Sequence, residues 1–401
     1  MSQHPPDGHE TAGATATSAV PADPGADPPS ASSSAPTALL SPDPLLPYWV
    51  AFSHVPGIGP RRLDALVARC GDVERAWKTS ESVAARCLDQ RSLASFLTAR
   101  RRIDLDTHMA ALSRAGAQAL LRSDARYPPL LRQIDRAPQI LFVRGDPALL
   151  AVRSLAVVGT RQVSAYGQRA TAHLVDDLAA AGLGIVSGAA LGVDALAHRR
   201  ALEAGAPTIA VLGSGIDRCY PRANQHLLAD IAARGAVVSE LPPGAEPLRG
   251  NFPARNRIIS GLALATLVVE AGQRSGALIT AEFALAQGRD VFAVPGEIFN
   301  AQAEGANRLL ASGAGVATSA LDILTALDLS CVGDQNQLRR HRPVDPVEAA
   351  ILDALRPGAL DTDSLARALR APVAQVARSL TLMELKGMVQ PSAGLRWVAL
   401  G

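Results

Sequence analysis

The sequence predicts an α/β protein built on a doubly wound, Rossmann-like parallel sheet, with a helical unit before it and a winged-helix-like unit after it. Three observations carry this. Between residues 152 and 326, short apolar runs alternate with amphipathic stretches. The runs are apolar nearly throughout, as strands covered on both faces must be. Several end in glycine-rich turns, and strand–helix alternation of this kind gives a parallel sheet flanked by helices.

The elements follow in order. Residues 1–42 are mostly Ala, Pro, Ser, Gly and Thr with a few acids. Such a segment cannot bury enough apolar surface to offset its chain entropy and is expected to be disordered. Residues 43–116 show helical spacing, as in Leu63, Leu66 and Val67, and predict a small all-helical domain. Within it, Val55-Pro-Gly57-Ile-Gly59-Pro-Arg61-Arg62-Leu63 resembles a helix-hairpin-helix turn, which offers backbone N–H groups and charge to a DNA phosphate. The main domain spans 117–327, and its first part, 117–150, reads as an extended, proline-punctuated connector. Strands are expected at 155–158, 184–187, 208–212, 236–239, 266–270 and 290–294. Helices are expected at about 167–181, 194–204, 222–234, 276–287 and 305–312. Residues 328–346 form a polar linker. Residues 347–401 read as three helices, at 348–355, 362–369 and 373–386, and an extended pair at 388–399, a winged-helix-like pattern.

Composition excludes several kinds of chemistry. Of 39 basic residues only Lys78 and Lys386 are lysines. Trp77 stands where a phosphate-binding P-loop needs glycine, and Lys386 is followed by Gly387, so no Walker motif exists. The net charge of +2 hides an uneven distribution. Residues 51–150 hold 16 basic and 10 acidic side chains, whereas residues 151–330 hold 14 and 15. Any anion track in the main domain must therefore be a local stripe. The cysteines Cys70, Cys87, Cys219 and Cys331 show no paired spacing, which suits a reducing cytoplasm. The N-terminus lacks a signal-peptide pattern, and no apolar stretch of about 18 residues exists, so no membrane span is expected.

In an open α/β sheet, turns at the carboxyl ends of the strands gather where ligands bind. Here they are Gly159-Thr160-Arg161, Ser187-Gly188 to Gly192, Gly213-Ser-Gly215, and Ala271-Gly-Gln-Arg274-Ser275-Gly276. Glycines allow close backbone approach to a phosphate, and helix N-termini present free N–H groups. Arg161, Arg274 and the Arg255-Asn256-Arg257 run, expected at a turn before a strand, supply guanidinium groups that fork onto phosphate. Asp194 and His198 share one helical face, either as a metal- or proton-handling pair or as a helix-start acid beside a packed histidine. Glu240 and Glu270 end strands as possible buried partners of the arginines. No metal-ligand spacing or catalytic constellation appears, so neither cofactor nor catalytic residue is expected.

Taken in order, Val158-Gly-Thr-Arg161, Gly192-Val-Asp194, Ala210-Val-Leu-Gly213-Ser-Gly215, Tyr220-Pro221, Phe252-Pro-Ala-Arg-Asn-Arg257-Ile-Ile-Ser-Gly261, Val269-Glu-Ala271, Ser275-Gly-Ala-Leu-Ile-Thr-Ala281 and Phe292-Ala-Val-Pro-Gly296 resemble the DprA/Smf DNA-processing proteins. The resemblance covers about 118–326. It implies an extended Rossmann fold, flanked by a helical domain of SAM or helix-hairpin-helix type and a winged helix. It also implies single-stranded DNA binding without catalysis, a homodimer, and a recombination mediator that protects incoming strands and helps load RecA during natural transformation. The family's Gly-Ser/Thr-Arg motif falls on Gly159, Thr160 and Arg161. Two alternatives stand beside it. One is a nucleotide-processing enzyme of phosphoribohydrolase type, whose Pro-Gly-Gly-x-Gly-Thr loop is missing here. The other is a winged-helix transcription regulator acting through residues 347–401.

Overall fold

A computed structural model describes residues 43–329, 346–356, 358–385, 388–392 and 396–399. The expected tail, 1–42, and most of the expected linker lie outside these residues. The helical unit comprises α1 (Leu46–Ser53), α2 (Pro60–Cys70), α3 (Val73–Lys78), α4 (Glu81–Ala84), α5 (Gln90–Arg102) and α6 (Leu105–Arg114). Asp72, Asp89 and Asp104 cap the N-termini of α3, α5 and α6 by accepting from backbone N–H groups one turn on. Phe52, Trp77 and Phe96 meet edge-to-face and stacked at the centre of this unit's core.

The main domain begins with two strands where the sequence suggests a connector: β1 (Gln118–Leu121) and β2 (Ile140–Gly145). A short helix, α7 (Pro129–Arg132), lies between them. Pro128, Pro129 and Pro138 fall between the two strands and Pro147 after them, and β2 is apolar and buried over its first four residues. Then come β3 (Ser154–Val158), α8 (Ala165–Ala180), β4 (Gly184–Ser187), α9 (Val193–Glu203), β5 (Thr208–Val211), α10 (Gln225–Arg234) and β6 (Ala236–Ser239). They are followed by α11 (Asn251–Leu262), β7 (Thr266–Val268), α12 (Gly276–Ala286), β8 (Val291–Ala293), α13 (Glu304–Ala311), β9 (Gly315–Val316) and α14 (Ala320–Ala326).

These strands form a nine-stranded sheet in the order β1-β2-β6-β5-β4-β3-β7-β8-β9. Strands β3 to β9 pair in parallel, and β2 runs antiparallel to both β1 and β6. Side-chain alternation along β3 splits the core. Leu155 and Val157 face α8, α9 and α14, while Ala156 and Val158 face the α11–α12 layer. From β3 the chain winds outward through β4, β5 and β6, then returns to β3's other side at β7. The reversal leaves a crevice between the carboxyl ends of β3 and β7.

The C-terminal unit has helices Pro346–Leu355, Thr362–Leu369 and Val373–Leu385 and a small three-stranded sheet, the winged-helix pattern. Ile351, Leu365, Val376, Leu380 and Met383 form its core.

Candidate nucleic-acid interface

The crevice has a volume of about 760 Å³. Gly159, Thr160 and Arg161 enter it from the end of β3, and Arg274, Ser275 and Gly276 from the turn before α12. Arg249 comes from the turn before α11, Phe252 from the first turn of α11, and Tyr220 from the loop after β5. The N-terminal turns of α9, α11 and α12 all contribute lining residues, so three helix dipoles present their positive ends. Ser275 caps α12, its Oγ accepting from the Ala277 N–H. A Cβ on Gly276 would meet nothing within 4 Å, which leaves its backbone open to close approach.

Charge here is sorted by depth. Arg161, Arg249 and Arg274 are exposed and make no ion pair among the described residues. Arg255 is buried beneath them. Its guanidinium donates to the carbonyls of Gly188 (3.0 Å) and Val211, and its Nε to Asn256 Oδ1 (3.3 Å). Burial pulls its pKa down to about 10, against the attraction of Asp194 and with the repulsion of Arg161. Asp194 is the one carboxylate among the lining residues. Burial pushes its pKa up, opposed by Arg255 and by the Gly188 and Ala190 N–H groups that donate to Oδ2 at 3.1 and 3.3 Å. The crevice thus shows solvent three free guanidinium groups above one compensated acid. Beside them Tyr220 and Phe252 meet with ring centroids 5.3 Å apart, and Tyr220 is 46% exposed.

Several sequence expectations need correction. The Arg255-Asn256-Arg257 run lies inside α11, not at a turn before a strand. Arg255 and Asn256 reach the crevice as its floor, and Asn256 Nδ2 donates to the Gly276 carbonyl (3.1 Å). Arg257 does not line it but pairs with both oxygens of Glu240 at 2.6 Å. Glu270 is held by the Ser164 N–H (2.9 Å) and hydroxyl, not by an arginine. Gly188, Gly213 and Gly215 lie behind the crevice and serve packing. A Cβ on Gly188 would sit 2.7 Å from Asp194 Oδ2, one on Gly213 2.8 Å from the Phe252 ring, and one on Gly215 2.6 Å from the Pro242 carbonyl. Thr160 is buried, its hydroxyl donating to Gln302 Oε1 at 3.0 Å. His198 packs with Nδ1 2.7 Å from Thr208 Oγ1, and Asp194 caps the preceding loop, so this pair has structural partners. Arg249 carries no sequence signal beyond being an arginine near the start of α11. Tyr220 and Phe252 sit in quoted motifs, but only the fold brings them together.

An arginine-rimmed, acid-poor crevice at the switch point of a doubly wound sheet has the chemistry to take a phosphate-bearing ligand. Residues 118–328 match the family described as DNA recombination-mediator protein A, and residues 337–394 match the DprA winged helix domain. The chain is 35% identical to the putative DNA processing protein DprA of Mycobacterium tuberculosis over 88% of this chain and 94% of that one. It is 37% identical to protein Smf of Synechocystis over 74% and 76% of the two chains. The X-ray structure of DNA processing protein A from Streptococcus pneumoniae superposes with a TM-score of 0.61 at 37% identity, covering 69% of this chain and 95% of that one. The chain belongs to the DprA/Smf family of DNA-processing proteins. Among the described residues no helix is long and apolar enough to cross a membrane.

Proposed function

We propose that this chain binds single-stranded DNA in the β3–β7 crevice and acts, without catalysis, as a cytoplasmic recombination mediator. In this reading it protects incoming strands during natural transformation, helps load RecA, and works as a homodimer. The observation that carries the binding is the combination of three arginines without ionic partners among the described residues and an aromatic pair, exposed Tyr220 on half-buried Phe252. The arginines and helix N-termini suit a phosphate backbone, and the Tyr220–Phe252 shelf suits a bare base. A duplex keeps its bases stacked inside and offers such a shelf nothing. The nucleotide-enzyme reading loses support because Glu270, the carboxylate just after β7, is buried and does not line the crevice.

The test is an anisotropy titration of the full chain with oligo-dT. Replacing Tyr220 by Ala removes half the shelf and is expected to cost about 1–3 kcal/mol of affinity. Unchanged affinity overturns the base-stacking role. RecA filament growth on protected single strands, with and without the chain, tests the loading role. No acceleration contradicts it.

A further inference from the structure

We propose that the helical unit carries a second DNA site, centred on the Val55–Pro60 hairpin, which takes duplex DNA by its phosphates. It is separate from the crevice and does not rest on that reading. The hairpin joins α1 to α2. Gly57 has φ +84°, a Cβ there would lie 2.9 Å from Ser92 Oγ, and that hydroxyl donates to the Gly57 carbonyl at 3.2 Å. The first turn of α5 is therefore seated against the hairpin. Nothing lies within 4 Å of a Cβ on Gly59, so its backbone is open to solvent.

Arginines gather around this turn. Arg61 and Arg62 open α2, and Arg91 opens α5. Arg86 lies in the loop tied to α2, where the Cys87 thiol donates to the Ala65 carbonyl. Arg136 adjoins from the main domain. Two acids face them. Asp135 takes Arg61 at 2.9 Å with Arg136 at 3.6 Å, and Asp89 takes Arg62. Arg86 and Arg91 are exposed and have no ionic partner among the described residues. This is where part of the basic excess of residues 51–150 comes to the surface.

The patch has guanidinium groups but no aromatic ring among these residues, so it lacks a platform for unstacked bases. Its contacts are limited to backbone phosphates. A duplex, with one charge per about 1.7 Å of axis, presents these more densely than a single strand.

The experiment measures affinity of the full chain for a short blunt duplex and for oligo-dT across a salt series. In R86E/R91E we expect duplex affinity to fall at least tenfold and its log–log salt slope to shrink by about 1.8, with oligo-dT affinity unchanged. The milder R86Q/R91Q, matched to wild type by thermal melting, is expected to shift both quantities in the same direction. R161A/R274A tests the crevice independently, through oligo-dT. Duplex affinity unchanged in both hairpin variants overturns the proposal. So does an equal loss for duplex and oligo-dT, which would mean a single shared track.

Discussion

At the residue scale, the arginines divide into those that hold the fold and those that face solvent, and the sequence shows only their number. Arg255 and Arg257 read as ligand-grippers because they lie in a polar run. The structure turns both inward, one onto the carbonyls of Gly188 and Val211, the other onto Glu240. No local pattern announces such contacts, since the partners come from β4, β5 and the end of β6, far off in sequence. Arg255→Ala leaves Asp194 buried without its nearest counter-charge and is expected to cost roughly 3–5 kcal/mol of stability, seen as a lowered melting temperature. A variant that melts like wild type contradicts that role. His198 gives a pH dependence. Burial holds its pKa at about 3, below the ordinary 6.5, so it is neutral when folded and takes up a proton more readily when unfolded. Its contribution is present above pH 6.5 and is lost as pH falls toward 3. His54, held at about 4, acts with the same sign. Melting temperature is expected to fall as pH drops from neutral to about 5. A flat profile contradicts this.

At the element scale, the parallel strands are legible because burial on both faces leaves continuous apolar runs such as Leu155–Val158. The first two strands are not. Prolines between Tyr127 and Pro147 suggest a connector, and only pairing with β1 and β6 makes β2 a strand. Helix α11 is missed for a related reason. Its start carries Pro253, and its buried Arg255 and Asn256 interrupt the apolar stripe. The glycine-rich turns do mark the ends of the strands, yet they cannot distinguish Gly276, open to a ligand, from Gly213, packed on Phe252. Helix α12 depends on its cap. Ser275→Ala is expected to cost about 1 kcal/mol of stability and to weaken oligo-dT binding modestly. A large loss of affinity with no loss of stability would give Ser275 a direct contact instead.

At the scale of the whole molecule, charge is organised against the average. Residues 151–330 have no basic excess, yet Arg161, Arg249 and Arg274 stand together at the switch point while Glu240 and Glu270 are held by Arg257 and Ser164. Residues 51–150 hold the excess, and the helical unit presents part of it around one hairpin. The C-terminal helix 373–385 exposes Gln375 and Arg378, and the proposed binding in the crevice calls on neither. Arg378→Ala in the full chain is expected to leave DNA affinity unchanged. Arg161, Arg249 and Arg274 are the proposed phosphate track of the crevice. The most direct test compares oligo-dT affinity of wild type and R161A/R249A/R274A over a salt series. The triple variant is expected to bind more weakly, with a log–log slope shallower by about 2, close to 0.7 for each lost phosphate contact. A variant with the wild-type slope and affinity would contradict it.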